Sequence, residues 1–266
     1  MTGPAHADGA QNADGAAPGA PAQPLPGPDP GPDPGIAARL RAVSERVAAA
    51  ASDAGRSPGE VRVLLATKTV PASRIIEAID AGARLIGENR VQEVLAKYDE
   101  LTGQPHQSHF IGHLQANKVN ALLGRVSCLQ TLDSAALAER LQRRLKVLDA
   151  HLDVMIQVNV SGEASKFGVP PSAAENLVTA LAELPRLHLR GYMTIGLNSP
   201  DRVAVRAGYA RLRDLRDDLA ARGLPGAPGA GELSMGMSGD FPDAIAEGAT
   251  IVRVGSAVFG QRPPAA

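Results

Sequence analysis

Eight times between Val61 and Gly260 a short β-branched or apolar run gives way to a turn, and in all but the last case to residues with helical apolar spacing. The runs are VRVLLAT, ARLIGEN, SHFIGH, SCLQTLD, LDVMIQVNV, LHLRGYMTIG, ELSMGMS and TIVRVGSAVFG. Helical segments between them include PASRIIEAIDAGA, SAALAERLQRRLKVL and RVAVRAGYARLRDLRDDLAARG. Strict alternation implies parallel strands with right-handed crossovers, and eight such units close most naturally into a single (β/α)8 TIM-like barrel. Ile36, Leu40, Val43 and Val47 predict one more helix over 35–55, which would replace the helix missing after the last strand. An open doubly wound sheet is the alternative, but no glycine-rich dinucleotide fingerprint follows the first strand.

The organisation predicted is a barrel over 35–266 preceded by a disordered Pro/Gly/Ala-rich tail over 1–34. That tail has Leu25 as its only large aliphatic side chain after Met1, so it has no apolar face to bury. It also lacks the cationic start and apolar centre of a secretory signal. Its Pro-Asp-Pro and Gly-Pro pairs favour extended conformers that could dock a partner. A net charge of −1 offers no basic field for nucleic acid or an anionic membrane, and no apolar run approaches the ~20 residues needed to span a bilayer. The single cysteine, Cys128, lies in an apolar run and reads as a buried, inert thiol, consistent with a reduced, cytoplasmic setting.

A barrel gives meaning to Lys68, which closes the first apolar run. Active sites in this architecture lie at the carboxyl ends of the strands, where an amine at an apolar rim is partly desolvated and better able to attack an aldehyde. Other strand ends offer Glu88 and Asn89, His113, Asn159, Tyr192 and Ser238, while Arg253, Gly255 and Ser256 fall in the eighth run. Barrels commonly bind phosphate with the loops after strands 7 and 8. Ser238, flanked by glycine, and the backbone of Gly255 and Ser256 have the composition of such a cradle, although Ser238 also fits the N-cap of the following helix. In a closed barrel strand 8 lies beside strand 1. An aldehyde carrying a phosphate would span the gap, and pyridoxal 5′-phosphate fits.

The same residues carry a family resemblance. ATKTV, IGENRVQE, HFIGHLQANKVNAL, QVNVSGEASKFG, LRGYMTIG and LSMGMSGDFPDAIAEGATIVRVGSAVFG resemble, in this order, the pyridoxal phosphate homeostasis proteins over residues 36 to 262. The resemblance implies a fold type III barrel like the barrel domain of alanine racemase, with the cofactor on Lys68. It further implies Asn89 beside the ring substituents, Arg253 facing the pyridine nitrogen, and Ser238, Gly255 and Ser256 on the phosphate. Ser108 stands where the family usually has an aromatic residue, which removes a packing group near strand 3.

Arginine does not accept a proton near neutral pH, so Arg253 would leave the pyridine nitrogen unprotonated and the ring a poor electron sink. Alanine racemase also uses such an arginine, but takes a second base from another domain and subunit. A chain running only to GQRPPAA past the eighth strand is expected to have no such domain. Tyr192 reads as a rim residue, Lys166 as a solvated loop lysine, and RLRDLRDDLAARG as the solvated face of an amphipathic helix laced by pairs at helical spacing. His109 and His113 would lie ~13 Å apart along a strand, too far to share a metal.

The resulting expectation is a cytoplasmic, monomeric carrier that holds pyridoxal phosphate reversibly as a lysine Schiff base, with no catalytic residue, no metal and no robust reaction. Apo enzymes that use this cofactor are the expected recipients. A true enzyme, an amino-acid racemase or related pyridoxal enzyme, is the first alternative, followed by a Schiff-base aldolase acting on a sugar phosphate and a partner-binding scaffold with a vestigial cofactor.

Overall fold

A computed structural model describes residues 35–260. The boundary predicted at residue 34, and the tail before it, lie outside the described residues, as do residues 261–266.

The chain opens with α1 (Gly35–Asp53), whose buried residues Ile36, Leu40, Val43, Val47 and Ala51 form one stripe. Eight strands follow: β1 (Arg62–Ala66), β2 (Leu85–Glu88), β3 (Gln107–Phe110), β4 (Cys128–Leu132), β5 (Leu152–Gln157), β6 (Leu187–Met193), β7 (Glu232–Met237) and β8 (Ile251–Val254). They form a closed parallel barrel in sequence order, and β8 pairs with β1 from Arg62↔Ile251 to Leu65↔Val254. The predicted barrel is therefore the observed one.

The connecting helices are α2 (Ala72–Asp80), α3 (Val91–Leu101), α4 (Val119–Leu122), α5 (Ala135–Leu148), α6 (Ala174–Ala182), α7 (Arg202–Ala221) and α8 (Phe241–Ala246), with α9 (Ser256–Phe259) after β8. Alternation along the strands divides the core in two. Leu64, Leu85, Ile111, Cys128, Met155, Met193 and Ile251 cluster separately from Leu65, Phe110, Leu129, Ile156, Val252 and Val254, which pack against the helices.

Two segments differ from the sequence reading. The eighth run does not continue as strand through Ser256: β8 stops at Val254, Gly255 turns to φ −125° and ψ −78°, and Ser256 begins the one-turn helix α9. Among the described residues only this single turn follows the last strand, and α1 packs against α8, α9 and α2, taking the place of a full helix after β8 as the sequence predicts. The third strand stops at Phe110, short of His113, after the Ile111 amide makes a hydrogen bond of 2.9 Å to the carbonyl of Glu88. Gly112 then presses its backbone against Asn89 so closely that a Cβ would collide with the Asn89 carbonyl. Among the described residues no helix is long and apolar enough to cross a membrane.

Gly191 sits where β6 meets Glu232 of β7, and a Cβ there would run into the Glu232 carbonyl. Backbone cannot retreat as a flexible side chain can. Gly191→Ala is expected to lower unfolding free energy by about 2 kcal/mol or more, measured by urea denaturation.

Candidate functional site

The carboxyl ends of the strands surround a cavity of about 790 Å³. Lys68, Asn89, Ser238, Arg253, Gly255 and Ser256, the residues assigned to the cofactor in the sequence analysis, all line it. Apolar walls come from Ala66, Ile111, Met193, Ile195 and Phe259. Among the described lining residues, Lys68 and the arginines Arg74 and Arg253 are the ionisable groups.

Lys68 lies two residues beyond β1, in a turn closed by the Val70 amide on the Thr67 carbonyl at 3.0 Å. Thr69, the third residue of that turn, has φ +62°. A β-branched residue in the left-handed region is a genuine outlier, costing about 1–3 kcal/mol, and persists only where its surroundings hold it. The holding groups lie on β2 and α3. Glu93 Oε2 accepts from the Thr69 amide at 2.9 Å, and Lys97 Nζ donates to the Thr67 carbonyl at 2.9 Å and to Glu88 Oε1 at 2.7 Å. The Thr67 hydroxyl lies 2.6 Å from that same Glu88 oxygen. Burial pushes Glu88 up to about 7, against the pull of Lys97 and Thr67. Burial also opposes ionisation of Glu93, but hydrogen bonds from Glu88 and the Thr69 amide, with Lys97 nearby, hold it below the usual range. Of the two carboxyls, Glu93 therefore ionises first as pH rises.

Arg253 is buried inside the barrel. It donates from Nη2 to the Thr194 carbonyl at 2.7 Å and from Nη1 to Ser234 Oγ at 2.9 Å. Ser234 in turn donates to Gln130 Oε1 at 2.6 Å, and Gln130 Nε2 lies 2.8 Å from His109 Nδ1. A line of polar groups thus crosses the barrel from β8 to β3. Burial lowers Arg253 to about 10, opposed by Tyr209 and Asp240, and leaves it protonated at neutral pH. Burial, then Arg62, lowers His109 to about 4.

Ser238 is not a helix cap, because the N-cap of α8 is Asp240. Asp240 Oδ1 accepts from the Met237 amide at 2.6 Å and Oδ2 from the Tyr209 hydroxyl at 2.7 Å, which fixes the loop carrying Ser238. Gly196 lets Tyr209 approach, since a Cβ there would strike its hydroxyl. At Gly255 a Cβ would come 3.1 Å from the Ala66 carbonyl. Asn89 Oδ1 is buried with no hydrogen-bond partner.

Other sequence-picked residues fall outside the cavity. Lys166 is not a solvated loop lysine: its Nζ donates to Glu163 Oε1 at 2.6 Å and to the Gly196 carbonyl at 2.8 Å. His113 stacks on Phe167 with centroids 3.9 Å apart and lies 3.3 Å from Asp133, while the Asn159 amide fastens its own loop to Glu163. Tyr192 is not at the rim. It is wholly buried against the helices, where burial pushes its hydroxyl up to about 12. Cys128 is buried and its thiol is pushed far up by burial. Within RLRDLRDDLAARG, Arg213 pairs with Asp214, Arg216 with Asp217 and, at helical spacing, Arg222 with Asp218, while Arg213 also reaches Glu247 and Arg222 also reaches Glu175. Among the described residues no group of His, Cys, Asp and Glu could hold a metal.

Sequence reading missed Glu93, Lys97, Tyr209, Asp240 and Gln130. A helix face accounts for the first three without invoking the site, and Gln130 is hidden in an apolar strand. Thr69 alone carried a signal, as a β-branched residue between a strand and a proline.

Residues 39–263 match the family described as alanine racemase, N-terminal domain. The chain is 44% identical over 226 residues to the pyridoxal phosphate homeostasis protein of Aquifex aeolicus, covering 84% of this chain and 97% of that one. It is 43% identical to the protein of the same name from Pseudomonas aeruginosa, covering 85% and 96%. The solved structure of PipY from Synechococcus elongatus PCC7942, with PLP bound, superposes with a TM-score of 0.75 at 34% identity, covering 85% of this chain and all (100%) of that one.

A histidine with a lowered folded pKa contributes stability that is complete above its unfolded pKa of ~6.5 and lost as pH falls through its folded value. Between pH 7 and pH 4 His109 should therefore account for up to about 3 kcal/mol of lost stability. Urea titrations at both pH values are expected to give a clearly smaller loss for His109→Gln than for the wild type.

Proposed function

The chain belongs to the pyridoxal phosphate homeostasis proteins, within the alanine racemase N-terminal domain family, and from that premise we propose that it binds pyridoxal 5′-phosphate reversibly on Lys68 and takes part in the homeostasis of that cofactor. The observation that carries this reading is the convergence of Lys68, Arg253, Ser238 and the unpartnered Oδ1 of Asn89 on one cavity. The residues fit the cofactor: an amine for an aldehyde, an orphan acceptor for a ring hydroxyl, apolar walls for a flat ring, and a serine beside glycine backbone for a phosphate.

Bound there, the cofactor supplies an aldehyde that a primary amine can hold reversibly. Lys68 presents that amine from the strand-end turn. Arg253, protonated and held by Ser234 and Thr194, donates toward a ring nitrogen and accepts nothing from it. Ser238, on the loop fixed by Asp240, and the backbone of Gly255 and Ser256 hold the phosphate.

A carrier without robust catalysis is the reading we favour. An amino-acid racemase needs a second acid–base group on the opposite face of the ring, and the described residues lining the cavity include no tyrosine, histidine, cysteine or carboxylate. Tyr192 is turned away among the helices, and Tyr209 is engaged by Asp240. Cytoplasmic residence as a monomer, with delivery to apo enzymes, completes the proposal.

After mixing with pyridoxal phosphate and desalting, the protein should keep a near-visible imine band, and borohydride should abolish that band by reducing the imine to a stable amine adduct that maps to Lys68. Lys68→Ala should retain neither. An adduct on Lys166, or one scattered over many lysines, would refute the reading. Ser238→Ala should weaken pyridoxal phosphate about tenfold, as expected for one charge-assisted hydrogen bond, and leave pyridoxal, which lacks the phosphate, within about twofold. Equal weakening of both would contradict the phosphate assignment.

A further inference from the structure

The turn bearing Lys68 is gripped from behind. Its first residue, Thr67, has its carbonyl held by Lys97 Nζ at 2.9 Å, and its third, Thr69, has its amide held by Glu93 Oε2 at 2.9 Å. The two gripping residues are four apart on α3, so one helix face reaches both ends of the turn. Glu88 lies under them, taking Lys97 and the Thr67 hydroxyl on the same oxygen, and it immediately precedes Asn89, which lines the cavity. Each partner is thereby fixed by another: Lys97 lies between Glu88 and Glu93, and Glu88 is anchored by the strand that positions Asn89.

The conformation held is one that Thr69 would not choose. Its φ of +62° crowds a β-branched side chain, so without the Glu93 acceptor the turn should relax toward negative φ. Relaxation would rotate the peptide joining Lys68 to Thr69 and redirect the lysine side chain at its root. Lys97 and Glu93 lie on the helix side of β1 and β2, and neither lines the cavity. We propose that Glu93 and Lys97, supported by Glu88, are positioning residues that clamp the peptide units flanking Lys68 and so set the direction in which its amine enters the cavity. This rests on the proposed function for its ligand, though not for the clamp itself.

Glu93→Ala removes the acceptor from the Thr69 amide, whereas Glu93→Gln keeps a side-chain oxygen in its place. In the full chain, Glu93→Ala should fold, as judged by cooperative urea unfolding. It should also bind pyridoxal phosphate about tenfold more weakly, and the pH midpoint of its near-visible band should move from that of the wild type. Glu93→Gln should stay within about twofold of the wild type with an unmoved midpoint. A Glu93→Ala protein with wild-type affinity and midpoint would overturn the proposal.

Hydrogen exchange of the Thr69 amide without cofactor reads the clamp independently. It should be slow in the wild type and in Glu93→Gln, and about tenfold faster in Glu93→Ala. If the wild type takes up no cofactor on Lys68, the proposed function fails and this exchange alone decides the clamp. A Thr69 amide that exchanges at the unprotected rate in the wild type overturns the clamp whatever the variants do.

Discussion

Pairing of β8 with β1 is the constraint on which the rest of the molecule depends. Until that ladder forms, Lys68 at one end of the strand sequence and Arg253, Gly255 and Ser256 at the other are separated by nearly the whole barrel. Once Leu64 lies beside Arg253 and Leu65 beside Val254, the amine, the guanidinium and the glycine backbone share one mouth. Parallel pairing directs all eight carboxyl ends to that side, and the alternation of side chains sends the line from Arg253 to His109 inward while the apolar partners of the helices face outward. The site is a consequence of closure, and each of its groups lies at or just beyond a strand end.

Inside the barrel, polarity is organised. Arg253, Ser234, Gln130 and His109 replace what would otherwise be a layer of aliphatic side chains, and each satisfies the next. This layer holds the buried Arg253 cation by a hydroxyl and a carbonyl, and among the described residues that cation makes no ion pair with a carboxylate. The cavity itself is sparing in acid–base groups: among the described residues that line it, Lys68, Arg74 and Arg253 are the ionisable ones.

Much of this was legible in the sequence, for a definite reason. Strand ends in a barrel converge, so Lys68, Ser238, Gly255 and Ser256 could be placed at one mouth from alternation, whereas Asn89 and Arg253 are singled out by the family resemblance. The same alternation also offers His113, Asn159 and Tyr192, which do not line the cavity. What escaped were groups acting on the site from another layer. Glu93 and Lys97 have the spacing of an ordinary amphipathic helix, and only the fold shows that they reach the turn of Lys68. Tyr209 lies just before the charged stretch that reads as a solvated helix face, yet its hydroxyl donates to Asp240, two residues after Ser238. Gln130 and Ser234 sit in apolar runs where nothing local marks them as partners. The ends of β3 and β8 were also misjudged, because Ile-Gly-His and Gly-Ser-Ala-Val-Phe keep apolar character after the hydrogen-bonded ladder has stopped.

A crystal structure of the protein grown with pyridoxal phosphate would test the central claim most directly. The account predicts density continuous with Lys68 Nζ, a phosphate bound by Ser238, Gly255 and Ser256, the ring nitrogen facing Arg253, and Asn89 Oδ1 engaged by the ligand. A ligand seated on Lys166, or on the opposite face of the barrel with the Lys68 cavity unchanged, would contradict it.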